Sequence, residues 1–195
     1  MKTTTRALTL IEGLILGGLF LFLAILVVPQ VRGARIATNE SEAAQTLKAL
    51  AEAARQAGWK EGSSESLDWE KVLEILRRSR PDMELLPPPS DGGPPLFRYH
   101  GYLFCLWAQP GGHLTAYAWP TSLGSSGIAV FYLNPQGKIY FCRNLRERYS
   151  GIQVRPDPNA AVPMPAPGGR EPRIEADGSY LGQDYQRWIP LPKEE

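Results

Sequence analysis

Apolar positions are spread very unevenly along the chain. From Leu8 to Val28 it reads LTLIEGLILGGLFLFLAILVV, apolar except for Thr9 and Glu12. As a helix these residues rise roughly 31 Å at about 1.5 Å each, enough to cross a hydrocarbon core. The preceding MKTTTRA is polar and carries Lys2 and Arg6. The run ends in Val27-Val28-Pro29-Gln30, which lacks the small-residue pattern of a secretory cleavage site. Taken alone, this is the pattern of an uncleaved signal anchor with its positive residues held on the cytoplasmic side.

Beyond Pro29 and Gly33 the pattern becomes amphipathic. Ala43, Leu47, Leu50, Ala54 and Ala57 recur at three and four residues, one stripe of a helix that Gly58 ends. Pro29 removes a backbone hydrogen bond and crowds the preceding turn, so a kink is expected there. A second helix is predicted from Asp68 to Arg78, with Trp69, Val72, Leu73 and Leu76 on one face and Pro81 beyond its end. Residues 87–95, PPPSDGGPP, read as a connector. Short aromatic and β-branched segments with turn residues between them then predict strands at 97–108, 114–119, 127–133 and 138–142, several of them apolar on both faces. Asn134-Pro135-Gln136-Gly137 is a tight turn between the last two. Residues 152–195 are rich in proline and glycine and are expected to lie as extended coil over the sheet, pinned near Asp184–Trp188.

Composition adds little that is specific. Charged residues are 21%, hydrophobic residues 43% and the formal charge is +1, so bulk electrostatics do not suggest a nucleic-acid partner. His100, among strand aromatics, and His113, in a turn after Gly111-Gly112, are the only histidines, and neither has acidic or thiol neighbours at a metal-binding spacing. The segment TSLGSSG at 121–127 lacks a following Walker-type lysine and reads as a hairpin loop. Glu175, Asp177 and Asp184 match no oxygen-ligand calcium loop. No catalytic residue, metal site or cofactor is therefore expected, and the chain is not read as an enzyme.

Glu12 changes the picture. An acid inside an apolar spanning run is a functional-site hypothesis by default. Its natural partner would be a positive charge one turn earlier, and cleavage between Ala7 and Leu8 would create one on the new amino group. Ala7-Leu8-Thr9-Leu10-Ile11-Glu12 resembles the processing motif of the type IV prepilin and pseudopilin family. Ala7 stands where that family usually has glycine, and Leu8 where it usually has phenylalanine. Counting from Leu8, Pro29 is the twenty-second residue, where many type IV pilins also carry proline. The resemblance covers about the first thirty residues.

It implies cleavage by a prepilin peptidase, N-methylation of Leu8, and pairing of Glu12 with the N-terminal amine of a neighbouring subunit. The implied partners are the peptidase, other pilin or pseudopilin subunits and the lipid bilayer; the near-neutral charge predicts no nucleic-acid partner. The implied location is the bacterial inner membrane, single-pass, with the N-terminus cytoplasmic and the head outside. In such a compartment Cys105 and Cys142, both in predicted strands, either form a disulfide or remain two buried thiols.

The expected organisation is a leader at 1–7, a transmembrane helix at 8–29, its amphipathic continuation at 30–58, a globular head at 59–151 and a C-terminal segment at 152–195. The expected fold is α+β, a long kinked helix packed on a small antiparallel sheet, as in pilins. The expected role is a structural subunit or minor component of a pilus-like filament or secretion pseudopilus. The alternative is a monomeric, membrane-anchored binding domain that uses the prepilin signal only for export.

Overall fold

The computed structural model describes residues 9–59, 67–88, 92–109, 113–166, 168 and 171–192. It is α+β, with a long N-terminal helix, α1 (Leu10–Gln56), a short helix, α2 (Trp69–Arg77), and an antiparallel sheet. The chain divides into two compact units, one ending at Arg35 and the other beginning at Ile36.

In the first unit the large apolar side chains from Ile11 to Val31 are all exposed, Leu14 at 73% and Phe20 at 75% among them. A helix that is apolar all round has no polar face to offer water. By length and composition it can cross a membrane. The helix continues through Pro29, whose missing N–H leaves the carbonyl of Ile25 without its usual donor.

The second unit contains the rest of α1. Ala43, Leu47, Leu50 and Ala54 are buried, so the stripe read from the sequence is the face that enters the core. The helix closes as a Schellman motif: Gly58 N–H donates to Arg55 O at 3.1 Å and Trp59 N–H to Ala54 O at 3.1 Å, with Gly58 at φ +107°. Helix α2 starts on Asp68, whose side chain accepts from Lys71 N–H at 3.1 Å, and buries Val72, Leu73 and Leu76.

The strands are β1 (Glu84–Leu86), β2 (Leu96–Tyr99), β3 (Tyr102–Gln109), β4 (His113–Pro120), β5 (Val130–Leu133), β6 (Ile139–Cys142), β7 (Tyr180–Leu181) and β8 (Arg187–Pro190), in spatial order β1-β2-β3-β4-β5-β6-β8-β7. Alternation sorts their side chains to two faces. Phe97, Phe104, Ala116, Ala118, Phe131 and Ile139 join α1 and α2 in one core cluster. Leu103, Cys105, Tyr117, Trp119, Tyr132 and Cys142 join Tyr149 and, from the C-terminal segment, Ala160, Ala161, Tyr180 and Trp188 in another. Both faces of the sheet are therefore covered.

Several boundaries differ from the sequence reading. Segment 97–108 is a hairpin, because His100 (φ 43°) and Gly101 (φ 75°) turn the chain between β2 and β3. Paired positive φ values are the geometry of a tight two-residue hairpin turn. A Cβ on Gly101 would lie 2.7 Å from Cβ of Ser126, so glycine is needed for space as well as for φ. Residues 127–129 stay outside β5 because the N–H groups of Ile128 and Ala129 donate to Glu40 Oε1 at 2.8 and 2.9 Å. The C-terminal segment is not coil throughout, since β8 pairs with β6 and extends the sheet. The Asn134–Gly137 turn forms as expected, with Gly137 N–H donating to Asn134 O at 2.9 Å and Lys138 N–H to Asn134 Oδ1 at 2.7 Å.

Candidate functional site

The first turn of α1 holds the acid that the sequence singles out. Thr9 donates both its N–H and its hydroxyl to Glu12 Oε2, each at 2.8 Å, and Glu12 N–H donates to Thr9 Oγ1 at 3.3 Å. This is a capping box: the threonine caps the helix and the acid three residues on returns the bond. The T-x-x-E spelling was visible in the sequence, where the acid stood out for its place in an apolar run and its threonine did not. Among the described residues nothing donates to the other carboxylate oxygen, Oε1. Capping its own helix therefore leaves Glu12 with an oxygen for a second donor. Ala7 and Leu8, the expected processing site, lie outside the described residues.

The second unit fastens its share of α1 to the β4–β5 loop through polar side chains. Asn39 Nδ2 donates to Ser126 O at 2.7 Å, beside the paired bonds to Glu40. Next to this junction runs a groove of about 930 Å³, with Ile36, Ala44 and Lys48 on the helix side and Phe141, Leu145 and Leu191 on the sheet side.

The opposite face of the sheet carries a buried polar hub. Asp184 Oδ1 accepts from Gln186 N–H at 3.1 Å and Trp188 Nε1 at 3.2 Å, while Oδ2 accepts from the Tyr149 hydroxyl at 3.1 Å. Burial, then the neighbouring Asp184, push the Tyr149 hydroxyl well above the usual tyrosine range. Tyr117 accepts from Ala161 N–H at 3.0 Å and donates to Pro158 O at 3.1 Å, which ties the intervening segment down.

The remaining candidates are scattered. Cys105 and Cys142 are free and buried. They face the same side of the sheet, but β4 and β5 stand between their strands. Three interstrand steps of about 4.8 Å separate them by roughly 14 Å, twice the roughly 7 Å beyond which Cα atoms are not bridged. Of the two alternatives left open by the sequence, the buried thiols hold and the disulfide does not. His100 is in the β2–β3 turn, stacked on Tyr99 at 4.2 Å, and His113 opens β4, which reverses the expected strand and loop positions. Asp177 pairs with Arg187 at 3.2 Å and Glu175 with Arg173 at 3.2 Å, while Asp184 serves the hub. Among the described residues no group of three or more His, Cys, Asp or Glu side chains is placed to hold a metal ion.

Fold and site together define a chain with a helix able to cross a membrane, an acid in its first turn, and an α+β head. No known protein family, curated protein or solved structure matches it.

Proposed function

We propose that the chain is a pilin-like structural subunit, processed before Leu8 and assembled laterally through its apolar helix into a filament or secretion pseudopilus. One observation carries the reading. Glu12 sits in the first turn of a helix whose apolar side chains are exposed all round, with one carboxylate oxygen engaged by Thr9. An acid in such a helix is costly in lipid unless it meets a cation. The amino group created at Leu8 of a neighbouring subunit supplies one, and Oε1 can receive it without breaking the cap.

Glu12→Gln separates charge from capping, because glutamine also completes a capping box. The variant should insert in membranes and be cleaved like the wild type, while cross-linking between subunits falls several-fold. Equal cross-linking in both proteins would rule out the ion pair. Mass spectrometry of membrane-derived protein should show a chain that starts at Leu8, N-methylated there. An intact Met1 terminus in cells with an active prepilin peptidase would reject the processing.

The groove of about 930 Å³ favours a second reading, an anchored monomer that binds a ligand in its head. A chain that stays monomeric in the membrane at every density, in wild type and Glu12→Gln alike, would select it.

A further inference from the structure

We propose that the end of the head carrying the Arg143–Arg148 loop docks on anionic lipid headgroups of the membrane that holds the helix. The inference rests on the membrane anchoring in the reading above and not on filament assembly.

The β4–β5 loop (residues 121–129) and the segment after β6 (residues 143–154) lie at one end of the sheet and touch each other. Gly151 N–H donates to Pro120 O at 3.0 Å, and Leu123 N–H to Ser150 Oγ at 3.0 Å. Seven large apolar side chains beyond Val31 are exposed among the described residues, and four belong to these segments: Ile128 at 45%, Leu145 at 75%, Ile152 at 51% and Val154 at 46%. Leu145 sits in a loop with Arg143, Arg146 and Arg148, all exposed, against the single acid Glu147. Among the described residues no ion pair engages those arginines.

The loop is held in shape rather than trailing. Asn144, at φ 53°, donates from Nδ2 to Tyr149 O at 2.8 Å and accepts from Tyr149 N–H at 2.7 Å, which closes the loop at both ends. The result is a fixed tip of apolar and cationic side chains.

Charge complementarity and tether length identify the occupant. Arginines flanking apolar side chains suit the boundary between headgroups and acyl chains, where the aliphatic part is buried and the cation meets lipid phosphate. The chain also restricts how far this end can stray from a bilayer that holds the apolar run. Only Arg32, Gly33, Ala34 and Arg35 separate Val31 from Ile36. That stretch reaches at most about 18 Å even when fully extended. Within the head, Asn39 and Glu40, close behind Ile36, bind residues 126, 128 and 129 of the same end.

The test uses the full chain reconstituted in vesicles with spin-labelled lipids. A fluorophore is placed on Ser125→Cys at this end and, in a separate protein, on Gln136→Cys in the β5–β6 turn, with Cys105 and Cys142 buried and unlabelled under native conditions. In phosphatidylcholine–phosphatidylglycerol vesicles the Ser125→Cys probe should be quenched by a headgroup-proximal nitroxide and the Gln136→Cys probe should not. Each arginine changed to glutamine should lower the ratio of docked to undocked heads roughly fivefold, as should replacing the anionic lipid. If alkaline carbonate extracts the chain, both the anchoring and the inference fall. If the chain resists extraction but the Ser125→Cys probe is unquenched, or is quenched equally without anionic lipid, the inference alone falls and the surface is left to a protein partner.

Discussion

The two cysteines show how much one side chain's surroundings decide. Each thiol is packed among the aromatics of one sheet face, and burial pushes Cys105 up to about 12 and Cys142 up to about 12 from an ordinary 9.0. The thiolate is the reactive form, so both are inert while the head is folded. Alkylation of native protein without reductant should label neither, and alkylation after unfolding, still without reductant, should label both. A Cys105–Cys142 disulfide predicts no label in either state. The same shifts set a pH dependence. A thiol whose folded value lies above its unfolded one keeps more protons in the folded state, so its contribution is complete below pH 9 and is lost as the pH rises toward 12. Tyr132, pushed up to about 12 by burial, acts in the same direction. The urea midpoint of the head should therefore hold level from neutral pH to about 9 and fall beyond it.

At the scale of elements, α1 contains two kinds of helix in one run of sequence. Leu47 is fully buried, whereas Leu16 is 56% exposed. Leu47→Ala should destabilise the head by about 2–5 kcal/mol in urea melts, and Leu16→Ala should leave head stability unchanged. Gly58→Ala should cost about 1 kcal/mol or more, because φ +107° is open to glycine and strained for alanine. The long stripe from Ala43 to Ala57 was legible because many residues at helical spacing repeat the same message. The β2–β3 turn was not, since His100-Gly101 is no standard turn pair and interrupts an otherwise unbroken aromatic segment. Strand β8 was hidden for the opposite reason: Arg187–Pro190 is four residues in a proline-rich stretch and becomes a strand only by pairing with β6 and β7. The acid at position 12 was legible, and its cap was spelled beside it. The groove and the Asp184 hub were not, because each gathers residues from distant segments, such as Ala44 with Leu191 and Tyr149 with Trp188.

At the scale of the whole head, the C-terminal segment behaves as half of the core rather than as an appendage. Without it, Tyr117, Trp119 and Tyr132 would face water on a sheet whose other side is already occupied by helices. Trp188 is the central piece. It is 0% exposed, its ring lies 6.2 Å from Tyr117 and 5.9 Å from Tyr132, and its indole N–H is held by Asp184. Trp188→Ala should therefore cost about 3–5 kcal/mol, the range for truncating a buried large aromatic. Trp188→Phe keeps most of the packing and loses the bond to Asp184, so it should fall well short of that. Limited proteolysis then distinguishes a core segment from a draped coil. If residues 152–166 and 171–192 are integral, cleavage among them should follow global unfolding, slow in the wild type and accelerated together with the loss of stability in Trp188→Ala. A coil resting on a self-sufficient sheet would be clipped at the same rate in both proteins, and the remaining head would keep its urea midpoint.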